Sequence, residues 1–140
     1  QELCAIDSVN HTLRRIDTTP FPMDLLTMEP VLTTPCRRMK LKLGPEHQLY
    51  THTVRTMDTD MNQHMNNTSY FRLILDTRPS SFWDTWKVQE FDIHHVNESV
   101  EGEELQICCQ EEPGALSAQI KRGETTLIKA FLLLSKRESA

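Results

Sequence analysis

The run Asp58-Thr59-Asp60-Met61-Asn62-Gln63-His64-Met65-Asn66-Asn67 decides how this chain is read. It sets two carboxylates, an imidazole and a cluster of carboxamides directly before an apolar pattern of helical period. Asp60, Asn62 and His64 alternate, so an extended or turning backbone would point all three toward one side. A helix starting near Asn66 would aim its unpaired N–H groups and positive dipole end at the same space. Acid/base groups beside a ready anion site are what acyl transfer requires.

Downstream of the run, Tyr70, Leu73, Ile74 and Thr77 follow i, i+3, i+4, i+7 spacing and predict a helix with one apolar face. Asn66 or Asn67 would cap it, and Pro79 closes it. Ser80 to Lys87, with Phe82, Trp83 and Trp86, adds a short helical turn. Upstream, His47 to Thr56 is rich in Thr, Tyr and Val and reads as a strand entering the run. Four further strands are expected at about 88–98, 104–111, 115–122 and 126–135, punctuated by Glu101-Gly102, Pro113-Gly114 and Gly123-Glu124, all short enough for hairpins. Alternation is clear in Leu105, Ile107, Cys109 and in Leu116, Ala118, Ile120. The expected class is α+β: one helix, wrapped by an antiparallel sheet against which it buries its apolar face.

Before the first strand the pattern loosens. Pro20, Pro22, Pro30 and Pro35 punctuate residues 7–35 and predict an irregular linker. Met39, Leu41 and Leu43 alternate with Arg38, Lys40 and Lys42, which predicts a short amphipathic strand or covering segment ending at Gly44-Pro45. Gln1 stands where an initiator Met would, and Leu3-Cys4-Ala5-Ile6 reads as a strand end, so the chain is expected to be part of something longer.

The chain has 140 residues, 38% apolar and 25% charged, with a net charge of −5; this is the profile of one globular domain with no general attraction to nucleic acid. No apolar run approaches the roughly 20 residues of a membrane span. Cys4, Cys36, Cys108 and Cys109 lack CxxC spacing, so no metal is expected; free thiols suggest a reducing, intracellular compartment. His94 and His95 are adjacent strand residues and face opposite ways, which fits a structural role better than a metal site.

These residues resemble a specific family. Asn62-Gln63-His64-x-Asn66-Asn67, preceded by Asp58 and Asp60 and followed by Tyr70, looks like the signature of acyl-ACP thioesterases, within the wider hotdog-fold thioesterases. The resemblance runs to about residue 135. It implies a hotdog fold, with residues 1–43 as the strand end of a preceding hotdog plus the inter-domain linker, and 44–140 as the catalytic half. Asp60, Asn62 and His64 fall on the motif's catalytic positions. Glu98 falls where the family places a catalytic Glu, shortly before Glu101-Gly102. Ser99 replaces a Cys common in the plant enzymes, which argues against a cysteine nucleophile. Arg72 and Leu73 stand where a small residue and an aromatic are usual, a departure that touches chain selection.

The reaction implied is hydrolysis of a fatty acyl thioester carried by acyl carrier protein or coenzyme A, with no cofactor. The backbone N–H of Asn66 or Asn67 would hold the oxyanion, and Glu98, His64 or Asp60 would activate water; direct attack by Asp60 is the rival. Arg37, Arg38, Lys40 and Lys42 could meet an acidic carrier or coenzyme phosphates, although a solvated strand face is the plainer reading. The competing function is a non-catalytic hotdog half serving dimerisation or acyl-chain binding. Either way a homodimer, or pairing with a second hotdog half, is expected.

Overall fold

The strand that enters the motif is Gln48–Thr53, and everything that positions the site is built between it and Lys136. A computed structural model describes residues 5–6, 9–10, 12–20, 22–25 and 39–138. Cys4, Cys36, Arg37 and Arg38 lie outside the described residues. The chain divides into two units, Gln1–Pro35 and Cys36–Ala140. In the first, strands β1 (Ala5–Ile6) and β2 (Leu13–Arg14) pair antiparallel, followed by single 3-10 turns at Ile16–Thr18 and Met23–Leu25.

The second unit contains β3 (Gln48–Thr53), helix α1 (Asn67–Leu75), a short helix α2 (Ser80–Thr85), β4 (Trp86–His95), β5 (Glu104–Glu112), β6 (Ala115–Arg122) and β7 (Thr125–Lys136). All five strands join one antiparallel sheet in the order β3-β5-β6-β7-β4. The tight β5–β6 and β6–β7 hairpins turn at Gly114 (φ 72°) and Gly123 (φ 59°), where a side chain would be strained.

Alternating residues of the sheet meet α1. Leu105, Ile107, Cys109, Leu116, Ala118, Ile120, Ala130 and Leu132 form one buried cluster with Tyr70, Leu73 and Ile74 of the helix. Burying each large aliphatic chain stabilises the fold by about 1.5–3 kcal/mol, so this face holds the helix in place. The architecture is the hotdog fold: an antiparallel sheet around one helix. No helix among the described residues is long and apolar enough to cross a membrane.

One expectation needs correcting and another is narrowed. The four later strands are not all joined by hairpins, because Glu101-Gly102 does not link β4 to β5 as neighbours. Having crossed the sheet on α1, the chain lays β4 against β7 at the far edge, then walks back along the end of the sheet to begin β5 beside β3. On that walk the Val96 and Asn97 N–H groups bond Leu127 O (2.8 and 3.3 Å), and Gly102 N–H reaches Val54 O (2.8 Å). For Met39 to Leu43, where a strand or a covering segment was expected, the structure has no strand. Burial alternates as expected and Leu43 is buried, but its N–H donates to the side chain of Gln119 and its carbonyl accepts from Lys121 Nζ. It is a covering segment fastened by side chains in place of a ladder.

Candidate active site

The signature run folds as a tight loop between β3 and α1. A 3-10 turn at Thr56–Asp58 leads in, and Thr59 and Met65 then form an isolated antiparallel bridge. Between them Asp60 N–H donates to His64 O and Gln63 N–H to Asp60 O, both at 2.9 Å. Gln63 has φ 64°, a left-handed conformation a non-glycine residue adopts at some cost, tolerated here to close the turn. Asp60 Oδ1 accepts from Asn62 N–H (2.9 Å), an Asx turn that holds the tip. Asp60, Asn62 and His64 therefore do not simply alternate along an extended strand. Asp60 and His64 stand opposite each other and Asn62 sits at the tip.

Asp58 anchors this loop. Its carboxylate accepts from Arg55 N–H (2.9 Å) and contacts His52 Nε2 (2.7 Å), and its carbonyl accepts from Asn66 N–H (2.7 Å) and Ser69 Oγ (3.2 Å). Partial burial would raise its pKa, but the Arg55 N–H and the His52 ring outweigh burial and hold the carboxyl below the usual aspartate value.

Asn66 is the N-cap of α1: its side chain accepts from Thr68 N–H at 2.9 Å. Because the Asn66 N–H is already engaged by Asp58, it is not open to a ligand. The Asn67 N–H, first in the helix, has no partner among the described residues and is the donor left at the positive end of the dipole.

Glu98 lies in the loop beyond β4, which ends at His95, and not within a strand as expected. Its Oε2 is 3.0 Å from Nδ1 of His64, a contact across 34 residues of sequence. His64 and Val100 bridge through the backbone, and Met65 N–H donates to Ser99 O (2.8 Å), so the two loops are stitched side by side. Ser99 is fully buried. Its Oγ lies 2.6 Å from Tyr70 Oη, and its N–H donates to the same phenol oxygen at 3.1 Å. Burial pushes the Tyr70 phenol pKa up against the opposing bonds from Ser99, and the nearby Glu98 and Glu103 charges add to the rise. Ser99 thus ties this loop to the helix from inside the core.

An open depression of about 610 Å³ lies beside this cluster, lined by Thr56, Thr59, Asn62, Gln63, His64, Val100 and Glu101. Asn62 and His64 face it; Asp60, Glu98, Asn66 and Asn67 are not among its lining residues. Exposed Met57 and Met61 lie in the same loop. A second depression of about 630 Å³, lined by Trp86, Glu111, Glu112, Pro113, Gly114 and Lys136, lies at the other end of β5 and holds none of these groups.

His52 and Arg122, which the sequence did not single out, brace the two loops. Arg122 Nη1 donates to Glu98 O (3.0 Å) and to Glu103 Oε2 (2.8 Å). A lone Arg beside a hairpin glycine carries no signal of such a contact.

Residues 42–138 match the family model for the acyl-ACP thioesterase C-terminal domain. Among solved structures, the chain is similar to an acyl-ACP thioesterase from Bacteroides thetaiotaomicron (TM-score 0.75, 23% identity, covering 93% of this chain and 53% of that one). It is also similar to the 12:0-ACP thioesterase from Umbellularia californica (TM-score 0.64, 21% identity, 72% and 40%). A third likeness is to YbaW, a probable thioesterase from Escherichia coli (TM-score 0.55, 21% identity, 64% and 82%). At these identities the likenesses establish the fold. The chain spans about half the length of the first and about two fifths of the second. No curated protein matches it by sequence.

Proposed function

The chain belongs to the acyl-ACP thioesterase family through its C-terminal domain, and on that premise we propose that it hydrolyses fatty acyl thioesters, carried by acyl carrier protein or coenzyme A, to free acid and thiol. The observation that carries the mechanism is the 3.0 Å approach of Glu98 Oε2 to His64 Nδ1. An ionised carboxylate there favours the tautomer with its proton on Nδ1, which leaves Nε2 as the acceptor toward the depression.

His64 Nε2 takes a proton from water as the water oxygen attacks the thioester carbonyl carbon. The carbonyl π pair moves to oxygen, and the Asn67 N–H at the head of α1 meets the oxyanion. Such a donor is typically worth about 10²–10³ in rate. Collapse re-forms the carbonyl and breaks the C–S bond, and the imidazolium returns its proton to the departing sulfur. Asn62, at the tip of the turn, orients the water. Asp60 holds that tip through its bond to Asn62 N–H, an engagement that favours water attack over direct attack by Asp60. No cofactor enters this scheme.

In this reading residues 1–43 are the strand end of a preceding hotdog plus linker, and 44–140 the catalytic half. A second hotdog half, from the same protein or a second copy, adds alongside β4, the last strand of the sheet, where Phe91 is 57% exposed.

The test is turnover of an acyl-CoA and acyl-ACP panel by the complete protein. His64→Ala and Glu98→Gln should each lower kcat by about 10²–10⁴. Variants as active as wild type would refute the assignment, and an inert wild type would favour the non-catalytic hotdog half that serves dimerisation or acyl binding.

A further inference from the structure

We infer that Arg122 is a positioning residue for Glu98, an inference that rests on the site reading above. Glu98 is carried on an eight-residue walk, 96–103, that crosses the end of the sheet without a ladder of its own. At most steps its main chain is fastened by fixed backbone or buried groups: Val96 and Asn97 to Leu127 O, Ser99 to Tyr70 Oη and Met65, Gly102 to Val54 O. At Glu98 itself the fastening is different. Among the described residues the Glu98 carbonyl has one partner, Nη1 of Arg122 at 3.0 Å, reaching from the end of β6.

The same Nη1 donates to Glu103 Oε2 at 2.8 Å, and that carboxylate oxygen accepts the Val100 N–H at 3.0 Å. Arg122, Glu103, Val100 and the Glu98 carbonyl thus form a clamp that grips the loop on both sides of Ser99. Burial would raise the Glu103 pKa, but the Val100 N–H and the Arg122 charge hold it below the usual glutamate value, so the clamp is ionised at neutral pH.

An exposed Arg–Glu pair by itself contributes about 0–1 kcal/mol. Its effect here lies in geometry. The Glu98 side chain is 68% exposed and its contact to His64 depends on where its backbone stands. With the carbonyl released, the Glu98–Ser99 peptide is held only at its Ser99 N–H end and can tilt about that bond to Tyr70 Oη, carrying the Glu98 Cα with it. A displacement near 1 Å between reacting groups can cost about 10²-fold in rate. Arg122 touches neither substrate nor reacting atoms in this scheme; it acts through Glu98.

The experiment compares Arg122→Gln, Arg122→Lys and Glu103→Gln with wild type and Glu98→Gln in the complete protein, reading kcat, KM and thermal midpoint. Arg122→Gln should lower kcat by about 10- to 100-fold, with KM changed less than about threefold and the midpoint little moved. Arg122→Lys should recover part of the loss, because an ammonium can reach one of the two acceptors. Added guanidinium at low millimolar concentration should restore part of the Arg122→Gln activity without altering its midpoint. Glu103→Gln should fall between. If Glu98→Gln is impaired while Arg122→Gln turns over like wild type, the positioning role is overturned and the site stands. Activity lost only in step with folded fraction, with no rescue by Lys or guanidinium, also overturns it. If Glu98→Gln itself is fully active, the site reading fails first.

Discussion

Replacing Tyr70 by Phe tests the junction that joins the helix to the loop carrying Glu98. The phenol oxygen accepts the Ser99 N–H at 3.1 Å and donates to Ser99 Oγ at 2.6 Å, while that Oγ in turn donates to Met65 Sδ at 3.5 Å. Tyr70 and Ser99 are 2% and 0% exposed, so water cannot replace what is removed. Deleting a buried hydroxyl with no partners would be close to neutral, since a phenyl ring prefers the core. Here the Ser99 N–H is orphaned, at about 1–3 kcal/mol, and the neutral bond to Oγ is worth about 1 kcal/mol more, with Met65 sulfur a weak substitute. The orphan decides the sign. Tyr70→Phe should destabilise the domain by about 2–4 kcal/mol, which for a unit of this size lowers the thermal midpoint by roughly 8–16 °C. Urea unfolding gives the free energy, and a double-mutant cycle with Ser99→Ala isolates the Oη–Oγ bond, expected to couple by about 1 kcal/mol. A cost below about 0.5 kcal/mol for Tyr70→Phe, or additivity within about 0.3 kcal/mol, would refute this account of the junction.

The Asp58 carboxyl is held below its ordinary value of 3.8, so its contribution to stability is complete above that value and fades as pH falls through the lower folded-state value. Acid titration of stability should therefore show wild type and Asp58→Asn converging as pH drops below about 4; a constant gap would sink the idea. Burial raises the Cys109 thiol pKa above its usual value against opposing influences from Thr77 and Arg78, and it raises Cys108 against Lys121, leaving both as inert thiols. Peptide mapping after brief iodoacetamide treatment should find both unmodified in the native protein and labelled in urea; rapid labelling of the folded form would contradict the burial.

Much of this was legible because local rules and the fold agree. The i, i+3, i+4 spacing of Tyr70, Leu73 and Ile74 set the buried face of α1, with Asn66 as its cap and the chain leaving before Pro79. Pro113-Gly114 and Gly123-Glu124 marked both hairpins. What failed was non-local. Strand order depends on which side of the helix the chain leaves, and no turn signal at Glu101-Gly102 encodes that choice. The same crossing moved Glu98 out of a strand and toward His64. The Leu43 segment stayed open between strand and cover for another reason: alternation reports a half-buried surface, and only the contacts of Gln119 and Lys121 with its backbone decide for the cover.

The sheet order has a consequence in time. Strands β3 and β4, which flank the signature in sequence, lie at opposite edges and can be held in one sheet only through β5, β6 and β7. On a ribosome adding about 5–20 residues per second, Asp58 to Asn67 emerges seconds before the last of those strands. During that interval His64 has no Glu98, and the apolar face of α1 has no sheet. Pairings this distant in sequence close slowly. The site is therefore one of the last things this chain acquires, and a nascent chain stalled within β7 would carry the whole signature with nothing yet able to hold it in place.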